Sequence, residues 1–483
     1  MAKRQRRRRE VRRREHAKRE GWKTHHSVIT GAGIAATATL GIAGTALADN
    51  VAYYVGSNAD TAVATDCTDP TNTDCTLRDA VNAANANNGY LDYVVFTSNV
   101  SGTVTLGGTD ILIEDPVRIY GRGPDVDTVS GNGESRIFDI DMASTGDEVL
   151  IYGLTLTDGD ADTSPGGAIY DNNSELAVVD SVLTGNSAYA GGAIYEDGGS
   201  NYGKNMVVAY STVDHNSATY GGGIAGHYSA GIVGGSTVAS NYSHVGGGVF
   251  NFGAPYGGVI YDSTISGNSS DNAGGGITLY YAYTYNTILG NNLNGGGAAD
   301  NFDAYLYGLG SLIESPGTTV YGAANITGVD PQLGGLANNG GNTPTLKPAA
   351  GSPVVDQGFS FAYYDQRGVQ FARIVDNPNA SNAFSPPYGA ADMGSVELTL
   401  AEGPQPPASA PAPPFVPPHK KKKCKKKKKH HRSAQVARKK CKKKKKRHSS
   451  RPAARAIKRW RAHPSHTGSG DHHWGDHAWR FGQ

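Results

Sequence analysis

The sequence predicts an all-β fold, a parallel β-helix in which each coil stacks on the one before it. Two stripes share a period of about 25 residues, and such periods are typical of solenoids. In the first, two glycines precede an apolar residue, at Gly166–Tyr170, Gly191–Tyr195, Gly221–Ala225, Gly246–Phe250 and Gly274–Thr278. The second has the form S-x-x-x-x-N, and its asparagines are Asn186, Asn216, Asn241, Asn268 and Asn291.

The segments between the glycines are short and rich in Val, Ile, Thr and Tyr, as in Leu176–Asp180 and Met206–Tyr210. Such runs favour strands, and the intervening Gly, Asn, Asp and Ser favour tight turns. Each unit is therefore expected to hold two or three strands that pair with the next coil about 4.8 Å away. Stacked coils would place the apolar stripe inside and the asparagines in a ladder of amide hydrogen bonds. A β-sandwich with coincidental spacing is the alternative.

Residues 1–48 have the composition of an export signal. The stretch Lys3–Lys23 holds 12 basic and 3 acidic residues, and an apolar run, Ser27–Ala48, follows it. Ala46 and Ala48 form a small-x-small cleavage pattern before Asp49. We therefore expect a secreted or cell-surface protein. The alternative is an uncleaved segment that anchors the chain in a membrane.

Residues 49–92 are predicted to form an N-terminal cap with a helix in Cys75–Asn85. Leu77, Val81 and Ala84 share one face of that helix, and Thr76 with Asp79 forms an approximate capping box. A helix there would cover the unpaired edges of the first coil. Export permits a disulfide between Cys67 and Cys75, while two reduced thiols are the alternative.

Residues Cys75–Asn85 (CTLRDAVNAAN) resemble the CSLREA motif of exported bacterial repeat proteins. Four blocks near the C-terminus resemble the choice-of-anchor Q domain: DPQLGGLANNGGNTPTL at 330–346, GSPVVDQG at 351–358, DQRG at 365–368 and GAADMGSVE at 389–397. These resemblances imply export, a right-handed β-helix over residues 93–310, an anchor-type domain over 311–398 and a surface-anchoring device downstream. They imply no established reaction.

The charge is segregated along the chain. After a Pro-rich linker at 399–419, residues 420–483 hold 25 basic and 2 acidic side chains. Between Lys23 and Lys420 there are 8 basic and 38 acidic side chains. A solvated polybasic tail is expected to bind anionic cell-envelope polymers, and the alternative is a solubilising tail without a partner. Export disfavours nucleic acid as the target.

The tail contains further reactive groups. Lysines beside Cys424 and Cys441 would lower their thiol pKa, and their pairing stays open. The end Asp471–Trp479 is rich in His, Asp and Trp. It suits either a metal site or a disordered terminus.

The candidates for chemistry in the body are Asp158, Asp160 and Asp162, either as catalytic carboxylates or as Ca²⁺ ligands; a solvated acidic turn is the alternative. Three histidines from successive coils could line one face: His215, His227 and His244; single surface histidines are the commoner alternative. Abundant tyrosines could stack on a surface glycan, while the alternative is that about half of them pack on neighbouring coils: Tyr189, Tyr220, Tyr242, Tyr280, Tyr281, Tyr283 and Tyr285. Apart from Ca²⁺, no cofactor is predicted. The expected function is structural or adhesive; the alternative is a polysaccharide lyase or glycoside hydrolase acting on a neutral glycan.

Overall fold

The computed structural model describes residues 50–405, apart from 62–65, 88, 143–146, 199–205, 228–230, 253–257, 299–300, 302–304 and 386–388. In this part of the chain the fold is a right-handed parallel β-helix with very little helix. The predicted fold class is confirmed. Among the described residues, no helix has the length and apolar character needed to cross a bilayer.

Two parallel sheets run along most of the described solenoid. Sheet A has eleven described strands: Ala52–Val55, Asp92–Phe96, Val117–Tyr120, Asp147–Tyr152, Ser174–Val179, Val207–Ala209, Ile232–Gly234, Gly258–Tyr261, Tyr281–Tyr285, Tyr305–Leu309 and Val320–Ala323. Sheet B has ten: Thr103–Thr105, Thr128–Ser130, Thr155–Thr157, Val182–Thr184, Thr212–Asp214, Thr237–Ala239, Thr264–Ser266, Ile288–Gly290, Leu312–Ile313 and Ile326–Thr327.

Two shorter sheets complete the middle coils. The described strands of sheet C are Ile111–Ile113, Phe138–Asp141, Ile169–Asn172, Ile194–Asp197, Ile224–His227, Val249–Phe252 and Ile277–Thr278. Those of sheet D are Ser187–Ala190, Ser217–Tyr220, Tyr242–Val245, Ser269–Asn272, Leu293–Asn294 and Gly297–Ala298, the last pair being antiparallel. A middle coil has one strand from each of the four sheets, rather than the predicted two or three strands. Four strands fit into one coil because those of sheet B are only three residues long.

The asparagine ladder lies at the corner between sheets B and D. Nδ2 of Asn186 donates to Oδ1 of Asn216 at 2.9 Å, and the same bond recurs up the column at 2.9–3.0 Å. Each Oδ1 also accepts the backbone N–H of the asparagine one coil below. The members are all buried: Asn186, Asn216, Asn241, Asn268 and Asn292.

The prediction that Asn291 is the fifth member of the ladder is wrong. Asn292 occupies the ladder, while Asn291 is exposed with a φ of 60°. The five-residue spacing arises because a three-residue strand of sheet B separates the asparagine corner from a hydroxyl corner. At that second corner the N–H of Ser181 donates to Oγ of Ser211 at 3.1 Å, and the pattern repeats upward. Thr287 replaces serine in the fifth coil and stands five residues before Asn292.

The glycine pairs form the corner between sheets D and C. Gly191 has a φ of 63°, a conformation that L side chains rarely adopt. A Cβ on Gly192 would collide with the carbonyl oxygen of Gly222 in the next coil. The apolar residue after each pair points inward, as predicted, and forms a buried column: Ile169, Ile194, Ile224, Val249 and Ile277.

The N-terminal cap contains helix α1, Leu77–Ala86. The predicted capping box is present, and Leu77, Val81 and Ala84 are buried against the first coils. Cys67 and Cys75 form the predicted disulfide, with a Cα–Cα distance of 5.5 Å. The cap is also part of the solenoid, because Ala52–Val55 is the first strand of sheet A. The boundary predicted at residue 93 is therefore too late.

The C-terminal boundary predicted at residue 310 is too early, since Val320–Ala323 and Ile326–Thr327 extend sheets A and B. The segment 330–405, which we call the clamp, packs on the outer face of sheet B. Its described residues include a small antiparallel pair of strands, Gly358–Phe359 with Gly389–Ala391. The predicted signal with Ala46 and Ala48, the end of the linker, and the tail with Cys424, Cys441 and Asp471–Trp479 lie outside the described residues.

Candidate functional site

An exposed group of stacked tyrosines lies on the last strands of sheet A. Side chains alternate between the interior and the surface along a strand, and here tyrosines occupy outward positions on three successive strands. The register places Tyr281 beside Tyr305, and Tyr307 beside both Tyr283 and Tyr321. We call this group the tyrosine platform: Tyr281, Tyr283, Tyr305, Tyr307 and Tyr321.

The rings of the platform stack in two columns. Ring centroids are 5.1 Å apart for Tyr281 and Tyr305 and 5.5 Å apart for Tyr283 and Tyr307, with an interplanar angle of 15° in both pairs. Tyr307 and Tyr321 continue the second column at 5.4 Å. The spacing follows from strand pairing, which holds equivalent side chains about 4.8 Å apart.

The platform combines exposure with the absence of charge. Tyr305, Tyr307 and Tyr321 are 40–45% exposed, which is high for large aromatic side chains. The three strands that carry the platform read YAYTY, YLYGL and VYGA, and they contain no ionisable side chain other than tyrosine. The platform is thus a neutral aromatic surface on an acidic body.

A cluster of charged side chains is buried where the clamp meets sheet B. Nη1 of Arg373 donates to Oε2 of Glu397 at 2.9 Å, and Nη2 lies 3.3 Å from Oδ1 of Asp262. Nη2 also donates to the carbonyl oxygens of Asp392 and Gly394, both at 2.8 Å. The Arg373 side chain is 1% exposed, so its charge depends on these partners.

Three carboxylates of this cluster form the one group among the described residues that is close enough to share a metal ion: Asp356, Asp392 and Glu397. Nearly all of their oxygens already accept hydrogen bonds. Asp392 accepts from the backbone N–H groups of Asp356 and Leu398, and Glu397 accepts from those of Val375 and Asp392. Oδ1 of Asp356 has no protein partner. These bonds favour a structural network that ties the blocks of the clamp together.

The pKa values of the three carboxyl groups in this network are raised. Burial, followed by the neighbouring Asp392, raises the pKa of Asp356 to about 6. Burial also raises the pKa of Asp392 to about 6 and that of Glu397 well above its usual value. The physical cause is that a carboxylate loses hydration in the protein interior, which disfavours its charged form.

We expect the clamp to be less stable at about pH 7.5 than at about pH 5. The folded-state pKa of Asp356 and Asp392 lies above the ordinary value of 3.8, so the folded protein holds these protons more tightly than the unfolded chain does. The stabilisation is full below about pH 4 and is lost as pH rises through about 6. Between about pH 5 and about pH 7.5 the two groups together should lose on the order of 3 kcal/mol. Urea unfolding or amide exchange of residues 330–405 at both pH values measures it.

The double variant Asp356→Asn/Asp392→Asn is the control for this pH effect. Asparagine mimics the protonated carboxyl and does not titrate, so the difference between the two pH values should shrink. An equal pH dependence in the variant and the natural chain would assign the effect to other groups.

The structure does not bring Asp158, Asp160 and Asp162 together as a site. Asp158 and Asp162 have φ values near 50°, so the chain turns sharply instead of continuing as an extended loop. Oδ2 of Asp158 accepts from Ser130 Oγ, whereas Oδ1 of Asp160 accepts from the N–H of Asp162. Among the described residues they are not a group whose oxygens could share one ion. The three side chains thus do not form a shared ion site in the described geometry, and a catalytic role for them remains a prediction.

The three predicted histidines also lie apart. His215 is in the turn after a sheet B strand, His227 is on sheet C and His244 is on sheet D. Each has a neighbouring aspartate of its own: Asp214, Asp197 and Asp271, respectively. The 29-residue spacing between His215 and His244 suggested that they occupy equivalent positions in successive coils. The strand register instead pairs His244 with Thr219.

The fold and these surfaces define a right-handed parallel β-helix protein with an N-terminal helical cap and a C-terminal clamp. No family model and no curated protein matches the sequence. A crystal structure of the pectate lyase Pel9A is similar over 72% of this chain and 96% of that chain. The identity between them is 14% and the TM-score is 0.37.

Proposed function

We propose that this protein is an exported structural or adhesive rod held at the cell envelope by its polybasic tail. The observation that carries the proposal is the clamp, which bonds the end of the solenoid chain to several successive coils. Gln366 bonds Thr212 in one coil and Thr237 in the next, and the N–H of Ser395 donates to Thr264 one coil further. A load applied to the C-terminus would therefore be shared among coils.

The first residues of the predicted linker, up to Pro404, are bonded to the rest of the clamp. Nζ of Lys347 lies 2.9 Å from Oε1 of Glu402, and the Asn379 side chain donates to the carbonyl oxygen of Pro404 at 3.0 Å. The tail that follows holds 25 basic side chains. Polybasic segments gain about 1 kcal/mol per Lys or Arg near an anionic membrane surface. The resemblance of the clamp blocks to the choice-of-anchor Q domain supports the same role.

Cell fractionation tests the proposed attachment. The full chain should be in the envelope fraction and be released by a wash in molar salt, because salt screens exposed charges. A variant that lacks residues 420–483 should appear in the medium. A tail in which glutamine replaces all 25 Lys and Arg of residues 420–483 controls for length and should be retained poorly. Retention of the full chain in molar salt would argue against an electrostatic anchor.

Carbohydrate-active chemistry on a neutral glycan is the second candidate. The exposed tyrosine platform supports the glycan binding that it requires, although the platform strands supply no carboxylate for hydrolysis. Release of reducing ends from a neutral polysaccharide by the purified chain would support an enzyme. Binding without turnover would support the adhesive role.

A further inference from the structure

We infer that the tyrosine platform binds a neutral polysaccharide chain that lies across the last coils of sheet A. This goes beyond envelope attachment, since the platform is on the solenoid and the proposed anchor is the tail. The geometric basis is that the aromatic rings are held in register on three paired strands. Their spacing is set by the backbone and does not depend on the ligand.

The chemistry of the platform fits a sugar ring. One face of a pyranose in an equatorially linked chain presents a row of C–H groups, which the negative potential of an aromatic face attracts. Tyr307 lies between Tyr283 and Tyr321, so the ring faces that no other platform ring covers belong to the column ends, including Tyr305 and Tyr321. Phenolic hydroxyls can both donate and accept hydrogen bonds, which suits the hydroxyl rim of a sugar. Tyr305, Tyr307 and Tyr321 supply rings and hydroxyls at exposed positions.

The charge pattern decides between neutral and acidic glycans. No Lys or Arg is present on the three strands of the platform to pair with a uronate carboxylate. The chain between Lys23 and Lys420 has 38 acidic and 8 basic side chains and would repel a polyanion. A neutral chain of flat, equatorially linked pyranoses is therefore the occupant that this surface fits.

Native gel electrophoresis and equilibrium binding of the full chain to hydroxyethyl cellulose and xyloglucan test this inference. Molar salt in the binding assay suppresses contacts of the basic tail and leaves aromatic stacking intact. We expect binding to at least one of the two polymers and none to polygalacturonate. The variant Tyr305→Ser/Tyr307→Ser should bind at least about tenfold more weakly.

Two further variants separate stacking from folding. Tyr363→Ser removes a tyrosine that is 64% exposed on the clamp, and it should bind like the natural chain. Tyr307→Phe keeps the ring and should retain most of the affinity. An unchanged far-ultraviolet circular dichroism spectrum confirms that each variant is folded.

Three outcomes would overturn the inference: no binding to either neutral polymer, equal binding by the double serine variant, or a dimer of the natural chain that the double variant converts to monomer. The last outcome would assign the platform to contact between two copies. If the full natural chain binds the glycan but is absent from the envelope fraction, only the proposed tail anchor is contradicted.

Discussion

Replacing Asn241 by alanine should lower the free energy of unfolding by about 3 kcal/mol or more. The Asn241 side chain accepts from the backbone N–H and from Nδ2 of Asn216, and it donates to the carbonyl oxygen of Val213 and to Asn268. Alanine would leave several of these buried groups without partners, and each costs about 1–3 kcal/mol. Urea unfolding followed by circular dichroism measures the change.

Adjacent asparagines provide the control for the ladder. Asn292→Ala should destabilise the protein as Asn241→Ala does, because Asn292 accepts from Asn268 and donates to the carbonyl oxygen of Ile265. Asn291→Gly should have little effect, since Asn291 is exposed and glycine tolerates its φ of 60°. Equal effects at the two positions would contradict the assigned ladder.

Replacing Arg373 by methionine should destabilise attachment of the clamp by about 3–5 kcal/mol. The substitution removes the cation but leaves Asp262 and Glu397 in a buried environment, where an unpaired carboxylate is costly. We expect the segment 330–405 to become sensitive to limited proteolysis before the coils unfold. Mass spectrometry of the fragments identifies the cleavage sites.

A surface ion pair of the same segment is the matched comparison. Lys347 and Glu402 are each about one-third exposed, so Lys347→Met should cost less than about 1 kcal/mol. Arg373→Lys should be intermediate, because lysine keeps the charge but cannot reproduce the fork that reaches both carboxylates. If Arg373→Met were as resistant to proteolysis as the natural chain, the buried pair would not hold the clamp.

Much of the solenoid was predictable because its contacts repeat with the period of the chain. The inward apolar residue of each glycine motif and four of the five asparagines follow directly from that period. Asn292 was missed because the fifth coil has Thr287 where earlier coils have serine. The hydroxyl spacing S/T-x-x-x-x-N was the signal that would have identified it.

The repeat period does not determine which tyrosines are exposed together on one sheet. Of those predicted to contact sugars, Tyr189, Tyr220 and Tyr242 lie on sheet D, apart from the platform. The platform adds Tyr305, Tyr307 and Tyr321, which the sequence did not single out. Whether a tyrosine is exposed depends on the register of its strand and on what covers the sheet.

The stacked coils, the helical cap and the disulfide could be predicted from sequence because each depends on nearby residues or on a regular repeat. The clamp network could not, because its partners are far apart and follow no period. Arg373 and Asp262 are 111 residues apart, and Thr237 and Gln366 are 129 apart. Only the packing of the returning chain on sheet B brings these side chains together, and burial there then sets their protonation.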